Sequence, residues 1–319
     1  MVASTEQSDL QTLQPATFKR VHIIVNPAAG QERPFLKTLN DAFRQAKVDW
    51  DVFITKGEGD ATRLAQQAVE AGADVVVAHG GDGTVGEVAN GLIGSSVPLA
   101  ILPGGTANVM SLELGIPGDL GPAVALLCGQ GRLIPVDMAR ANDRLLLLRA
   151  MIGFAADATK GAVREEKDRF GSLAYVLSAL RELPNAQSSH YTLTLDGETV
   201  ETDGVICMVG NSGNLGLPGV SLQSVINVSD GWLDVVVIRS VDLGTLFSVA
   251  ASAAGVANPF PHWQVKEVTV VADPPQTVEC DGEVLEPTPF RAQVIPAAIQ
   301  VVVPLPPTVP ANLTPPPNV

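Results

Sequence analysis

Basic residues and cysteines are both scarce in this sequence. Lys and Arg total 20 against 34 Asp and Glu, which gives a net charge of −14, and the basic residues never form a run. Such a surface argues against a nucleic acid or an anionic membrane as a partner bound by charge. The three cysteines, Cys128, Cys207 and Cys280, lie far apart, with no CxxC motif and no histidine nearby at metal-ligand spacing. Neither a disulfide framework nor a zinc site is indicated, and a reducing cytoplasm fits best.

A targeting segment and a membrane span are also missing from the pattern. Residues 1–17 are polar and lack the basic start and apolar stretch of a signal peptide. No window approaches the roughly 18 uninterrupted apolar residues of a transmembrane helix. Hydrophobic residues make up 46% of the 319 residues, which permits a well-buried core and suggests about two domains. We expect a soluble, cytoplasmic protein in which any contact with a membrane surface is transient, and apolar or local.

The first half of the chain alternates short apolar strands with helical patterns. The strands are VHIIV (21–25), DVFIT (51–55), DVVVAHG (74–80) and PLAIL (98–102), and the helices lie around 34–46, 60–71 and 84–93. This alternation predicts a doubly wound α/β domain with a parallel sheet. Continuous apolar strands indicate helices on both faces, and ligand-binding loops belong at the carboxyl ends of such strands.

Hairpin signals dominate after Arg132. Turns are expected at Asn142-Asp143, Asp196-Gly197 and Asp281-Gly282, with helical stretches around 156–167, 171–183 and 241–255. The second half should therefore be a β-rich, sandwich-like domain. The predicted division is a flexible tail (1–17), the α/β domain (18–135), the β-rich domain (136–303), whose end can pack back on the first domain, and a proline-rich tail (304–319).

The central chemical signal is HGGDGTVGEVANGL (79–92), in which a buried strand runs through a glycine-rich loop into a helix. Glycines let backbone amides surround an anion, and the helix N-terminus adds a favourable dipole. For a lone GGDG, an ordinary strand-to-helix turn is an equally good interpretation. Two further loops, NPAAG (26–30) and PGGTAN (103–108), carry glycine and polar residues at the same expected sheet edge. Together the three loops predict one nucleotide cleft.

The ordered motifs of the chain resemble the diacylglycerol kinase catalytic family, which includes sphingosine and ceramide kinases. The motifs are NPAAG, GGDGTVGEVANGL, LPGGTANVMSLELGIP, SDGWLDVVVI and a late CDGE, and the similarity spans roughly residues 20–303. GGDGT alone is not specific, because NAD kinases carry the same pentad and phosphofructokinases a close variant. The GTAN loop followed by LGIP favours the lipid kinases.

The resemblance implies an ATP- and Mg²⁺-dependent enzyme that phosphorylates the hydroxyl of diacylglycerol or a related lipid alcohol. It implies a first domain that binds the nucleotide, like those of NAD kinase and phosphofructokinase, and a second domain that binds the lipid. Asp82 would contact the magnesium or the nucleotide phosphates, and a homodimer is a family-level expectation. The residues implied around the nucleotide are Asn26, Gly30, Thr55, Gly80, Gly81, Asp82, Gly83, Thr84, Thr106 and Asn108.

The resemblance also implies that Glu283, in the late DGE, is the catalytic base opposite the phosphate loop. A carboxylate there is suited to accept the proton of the substrate hydroxyl. A surface hairpin residue is the alternative interpretation, because Asp281-Gly282 is a common turn. Asp196-Gly197-Glu198 would qualify equally, so only the position after the other motifs distinguishes Glu283.

A structural magnesium site is implied by SDGWLDV, through Asp230, the main-chain carbonyl of Trp232 and, nearby, Asp234. Carboxylate and carbonyl oxygens are the hard ligands that Mg²⁺ prefers. The segment departs from the family's usual proline- and alanine-containing lead-in, because it reads QSVINVSDG. A turn followed by a strand is the alternative.

Three residues near the loops receive mainly structural interpretations. Thr84 and Glu87 have the spacing of a capping box, which favours a capping role for Glu87 over contact with a metal. His79 is expected to be a hydrogen-bonded structural residue. Arg33 is the nearest basic residue after Gly30, where related kinases often carry one sooner, so phosphate neutralisation should rely more on magnesium and backbone amides.

Two other functions stay open at this point. An NAD kinase-like enzyme would share Gly80–Thr84, although its adenine- and ribose-binding motifs are not recognised here. A non-catalytic, nucleotide-binding regulatory protein is the other, and the presence of Asp82 and Glu283 argues against it. Apolar segments that could form a lipid groove are 151–154, 172–180 and 243–260.

Overall fold

The structure, a computed structural model, describes residues 14–29, 34–153, 188–217, 220–221, 226–239 and 260–306. Two regular architectures occupy these residues, a mainly parallel α/β half and an antiparallel β half. The helices predicted around 156–167, 171–183 and 241–255 lie outside the described residues.

The first half follows the predicted alternation. Its elements are β1 (Arg20–Val25), α1 (Phe35–Ala46), β2 (Asp49–Ile54), α2 (Asp60–Glu70), β3 (Val75–Gly80), α3 (Asp82–Leu92), β4 (Leu99–Pro103), α4 (Val109–Glu113) and α5 (Leu120–Leu127). Strands β1 to β4 are parallel in the order β2-β1-β3-β4. Ile23, Val77 and Leu99 are fully buried because helices cover the sheet, so the prediction of a doubly wound domain is confirmed.

The second half is antiparallel, as predicted. Its strands are β5 (Gly131–Ala141), β6 (Arg144–Leu146), β7 (Arg149–Gly153), β8 (Ser189–Leu195), β9 (Glu198–Gly204), β10 (Ile206–Gly210), β11 (Asn214–Leu217), β12 (Val220–Ser221), β13 (Leu233–Ile238), β14 (His262–Val265), β15 (Glu267–Asp273), β16 (Val278–Cys280), β17 (Glu283–Leu285) and β18 (Phe290–Pro304). The three predicted hairpins form, with Asn142, Asp196 and Asp281 in the left-handed region that such turns require.

Strand β18 joins the two halves. It pairs in parallel with β4 through Val301 and Leu99, and antiparallel with β5 and β15. One sheet therefore runs in the order β2-β1-β3-β4-β18-β15-β8-β9, while a second sheet has the order β14-β13-β10-β7-β16-β17. A separate core that includes Tyr191, Val235 and Phe290 lies between the two sheets, which makes this half sandwich-like.

The predicted boundary between residues 135 and 136 falls inside β5, a continuous strand of 11 residues. The division into domains therefore stays a prediction. Within the part of the chain that the structure describes, no helix is both long enough and apolar enough to cross a membrane.

Candidate active site

Three loops meet at the carboxyl ends of β1, β3 and β4. The main-chain amide of Asn26 donates to the oxygen of His79 at 2.9 Å, and the amide of Gly104 donates to the oxygen of Gly80 at 2.9 Å. These two bonds join each neighbouring loop to the GGDGT loop between β3 and α3. The sheet edge predicted to bind a nucleotide is thus a single, connected surface.

Close packing at this edge requires glycine at two positions. A Cβ atom on Gly105 would lie 2.5 Å from the Cα of Gly81, and one on Gly80 would lie 2.5 Å from Oγ1 of Thr84. Contacts this short exclude any side chain unless the loops move apart. Gly105 therefore lets the loops that follow β3 and β4 lie directly against each other, and Gly80 leaves room for the side chain of Thr84.

The N-terminus of α3 is open toward this surface. Gly81 is the N-cap residue, and it provides no side-chain cap. The first intrahelical bond runs from the amide of Val85 to the oxygen of Gly81, at 3.1 Å. The amides of the first turn have no partners within a helix, and with the helix dipole they form a site suited to phosphate.

The predicted capping box is wrong. Helix α3 begins at Asp82 rather than Thr84, so Glu87 lies beyond the first turn. The carboxylate of Glu87 instead accepts from the amide of Ala61 at 3.0 Å, at the start of α2, and its main-chain oxygen accepts from the hydroxyl of Thr62 at 2.8 Å. Glu87 caps the neighbouring helix and anchors α2 against α3.

A cleft of about 320 Å³ opens beside these loops, between the end of β1 and the start of α2. Its walls include Asn26, Thr55 and Thr84 of the predicted set, together with Lys56, Glu58 and Glu87. The side-chain amide of Asn26 donates to Oγ1 of Thr84 at 3.2 Å, which links two loops across the cleft. This volume lies at the lower end of the range of about 300–1,000 Å³ that small-molecule sites occupy.

The GTAN loop holds Asp82 from the other side. One carboxylate oxygen of Asp82 accepts from the amide of Met110 at 3.2 Å, in the first turn of α4. Asn108 has a left-handed backbone, and its side-chain amide bonds both the N–H and the oxygen of Gly105, at 2.9 and 2.7 Å. Thr106 is exposed on this loop, and Gly83 lies exposed in the first turn of α3. Gly30 and Arg33 lie outside the described residues.

His79 has the structural surroundings predicted for it. Its Nδ1 lies 2.9 Å from the main-chain oxygen of Leu102, and its ring stacks on Phe35 with 4.3 Å between centroids. These contacts tie β3 to β4 and to the start of α1.

The hairpin of β16 and β17 is fixed by Asp281. Its carboxylate accepts the amides of Leu147, Leu148 and Arg149 at 2.7, 3.0 and 2.9 Å. Removal from water raises the pKa of Asp281 to about 6, while the three amide donors and the charge of Arg149 act in the opposite direction. The two residues that follow Asp281 are therefore held at a fixed place beside β7.

Glu283, the predicted base, follows in this hairpin and pairs with the guanidinium of Arg144 on β6. Its side chain is 55% exposed, so it can be reached by a substrate. The tripeptide Asp196-Gly197-Glu198 forms the same kind of turn, because the Asp196 carboxylate also accepts two amides, those of Lys266 and Glu267. The turn itself does not distinguish the two glutamates, whereas the partner Arg144 does.

Two family models match this chain. The diacylglycerol kinase catalytic domain matches residues 20–141, and the YegS C-terminal NAD kinase beta sandwich-like domain matches residues 150–303. A protein of Klebsiella pneumoniae named "Probable lipid kinase YegS-like" is 30% identical over 292 residues, covering 89% of this chain and 96% of that protein. This chain belongs to the diacylglycerol kinase family of lipid kinases.

Other relatives agree with this membership. The diacylglycerol kinase of Bacillus subtilis is 29% identical over 242 residues, which cover 74% of this chain and 78% of that protein. A crystal structure of a diacylglycerol kinase from Bacillus anthracis superposes with a TM-score of 0.76 at 30% identity, covering 90% of this chain and 97% of that one. The chain is therefore a kinase that phosphorylates an alcohol and uses a nucleotide as phosphoryl donor. The NAD kinase-like and non-catalytic alternatives are set aside.

The lipid kinase halves are joined at this edge by Glu113, a residue that sequence reasoning missed. The Glu113 carboxylate, at the end of α4, accepts from the hydroxyl of Ser212 at 2.6 Å and from the amide of Asn214 at 3.1 Å. Arg149 in turn donates to the main-chain oxygen of Asn214. Glu113 lies within the LPGGTANVMSLELGIP motif, which could have marked it as a candidate. Its partners are 99 and 101 positions away, so the sequence did not indicate them.

The segment predicted to bind a structural magnesium is held by protein donors. The Asp230 carboxylate accepts the amide of Trp232 at 3.0 Å and the side-chain amide of Gln264 at 3.2 Å. Asp234 is fully buried, with one oxygen 2.5 Å from Nε2 of His262. Burial raises the pKa of Asp234, and His262 opposes that shift. Among the described residues no three His, Cys, Asp or Glu side chains form a metal cluster, so this site stays a prediction.

Asp137 anchors the same segment and was also missed. Its buried carboxylate accepts the amide of Gly231 at 2.6 Å and that of Ala297 at 2.6 Å. These bonds fix the SDG turn against the bulge in β18.

The phosphate loop offers one carboxylate, that of Asp82, to a Mg²⁺ ion bound together with a nucleotide. This ion is usually held by one or two carboxylates together with substrate phosphates. Asp82 offers such a carboxylate, since its second oxygen has no hydrogen bond to any described residue. Asp82 would therefore hold the ion together with the phosphates.

The segments predicted to form a lipid groove lie mostly outside the described residues. Ile152 is fully buried in the second core, and Met151 is half-buried on β7. Their groove role stays a prediction.

Gly105→Ala should destabilise this lipid kinase by about 1–3 kcal/mol, the usual cost of overpacking, because its Cβ would collide with the backbone of Gly81. Chemical denaturation measures the change. Gly86→Ala is the matched control, since a Cβ on Gly86 has no atom within 4 Å, and alanine within α3 should stabilise by about 0.5–1 kcal/mol. Equal stability of the two variants would contradict the close loop contact.

Proposed function

We propose that this lipid kinase transfers the γ-phosphoryl group of ATP, with Mg²⁺, to the hydroxyl of diacylglycerol or a related lipid alcohol. The main support is the uncapped N-terminus of α3, which the glycines of two loops surround at the edge of the cleft. Anionic phosphate groups suit such a position, and a neutral ligand would leave its amides without strong acceptors.

In this proposal the first-turn amides of α3 bind the phosphates, and Asn26, Thr55 and Thr84 line the neighbouring cleft. Thr106 and Asn108 close the far side through the GTAN loop. Bound Mg²⁺ would neutralise charge on the phosphates, with Asp82 as its protein ligand. Phosphoryl transfer depends mainly on such positioning and charge stabilisation.

Glu283 is the proposed base for the lipid hydroxyl. The Asp281 turn fixes the backbone of the hairpin, and Arg144 pairs with the Glu283 carboxylate, which supports a defined place for this residue. In the proposed step this carboxylate accepts the hydroxyl proton as the oxygen attacks phosphorus. With a net charge of −14, the enzyme would contact a lipid surface through apolar or local interactions, as a peripheral protein.

A phosphoryl-transfer assay tests the proposed function. The full chain is incubated with γ-labelled ATP, Mg²⁺ and mixed micelles of diacylglycerol, a long-chain base or phosphatidylglycerol, with NAD as a separate acceptor. We expect one of the lipids to become labelled, and we expect EDTA to prevent this labelling. Labelling of NAD alone would overturn the proposal. So would binding of ATP without labelling of any lipid.

A further inference from the structure

Among the described residues that line the cleft beside the phosphate loop, Lys56 is the one with a positive charge. The same walls carry two acids, Glu58 and Glu87, and the Glu87 carboxylate already accepts the amide of Ala61. A nucleoside triphosphate carries several negative charges, so the two glutamates would repel it unless Lys56 and a metal ion compensate for their charge.

The backbone at Lys56 is fixed on both sides. The amide of Thr55 donates to the oxygen of Val25 at 2.9 Å, which continues the strand pairing past the end of β2. The amide of Lys56 donates to the Asp60 carboxylate at 2.8 Å, at the first residue of α2. The lysine side chain therefore starts from a defined point on the wall of the cleft.

The ammonium group of Lys56 is available, unlike the guanidinium of the neighbouring Arg63. Arg63 donates to Asp60 at 2.6 Å and to Gln67 at 3.2 Å, along its own helix. Lys56 is exposed, and its side chain makes no hydrogen bond or ion pair with any described residue. A flexible, hydrated ammonium of this kind suits a phosphate that arrives with the substrate.

We propose that Lys56 is a substrate-binding residue that neutralises the phosphates of the nucleotide in this cleft. The inference rests on the proposed function and adds to it the cation that the first loop lacks shortly after Gly30. It assigns affinity for the phosphates, rather than for the base, to one side chain at the end of β2.

Equilibrium binding of ATP and of adenosine, with Mg²⁺ present, tests this role. Lys56→Gln should weaken ATP binding about fivefold to twentyfold, as expected for one charge-assisted contact at a partly exposed site, and leave adenosine binding unchanged. In the kinase assay the KM for ATP should rise with little change in kcat. Lys56→Arg should retain most of the affinity because it keeps the charge.

Lys19→Gln is the matched control, because it removes the same charge just before β1, roughly 20 Å from the cleft along a strand of six residues. It should bind ATP like the wild type. Equal ATP affinity of Lys56→Gln and the wild type would overturn the inference while leaving the proposed function intact, as would an equal loss for adenosine. A wild-type chain that binds no ATP would overturn both.

Discussion

Glu283→Gln should lower kcat for lipid phosphorylation by about 10²- to 10⁴-fold, the usual contribution of a general base, with little change in the KM for ATP. Glutamine has the same shape and still offers an oxygen to Arg144, so the hairpin should keep its position. The change removes the ability to accept a proton, together with the negative charge that faces Arg144. Steady-state kinetics at saturating lipid and ATP measure the effect.

Glu198→Gln is the control for this variant. Glu198 follows a second Asp-Gly turn of the same kind, Asp196-Gly197. The aspartate of that turn accepts the amides of Lys266 and Glu267. Its hairpin lies at the edge of the larger sheet, and we expect its loss to leave kcat unchanged. If the two glutamines have equal effects, Glu283 is a surface hairpin residue and the base must be sought elsewhere.

The elements that sequence reasoning predicted are those set by neighbouring residues. Continuous apolar runs such as residues 21–25 and 74–80 predicted buried parallel strands, because both faces of each strand are covered. Asp-Gly and Asn-Asp pairs predicted the hairpins, because the first residue of each turn adopts a positive φ. In each case the cause lies within a few residues of its effect.

The contacts that were missed join residues far apart in the chain. Glu87 has the spacing of a cap for its own helix, but its partner Ala61 is 26 positions away. Asp137 holds amides that lie 94 and 160 positions later, and Asp281 holds one 134 positions earlier. Sequence periodicity does not predict these partners, because each carboxylate accepts hydrogen bonds from whichever amides the fold places beside it.

The order of the motifs along the chain indicated the family, which no single motif could do. GGDGT and DGE are each compatible with an ordinary turn, and the tripeptide at Asp196 forms one with the same geometry. Their order along the chain led to the lipid kinase family, to which the chain belongs. The roles of single residues around the nucleotide remain proposals. Substitution of Asp82 is the most direct test of the role proposed for it in binding Mg²⁺ and phosphate.

Asp82→Asn should lower kcat/KM by about 100-fold or more and raise the Mg²⁺ concentration needed for half-maximal activity, because a metal-binding carboxylate is lost. Asparagine keeps an oxygen for the amide of Met110, so the contact between α3 and α4 is preserved and the change is one of charge. Initial rates over a range of ATP concentrations give kcat/KM, and a titration of activity with Mg²⁺ gives the concentration for half-maximal activity.

Asp49→Asn provides the comparison, since it removes one negative charge at the start of β2, the opposite end of the sheet from the phosphate loop. Its Mg²⁺ dependence should match that of the wild type. If Asp82→Asn loses activity with an unchanged Mg²⁺ requirement, the charge of Asp82 acts in some way other than binding the ion, and magnesium must be bound by other groups.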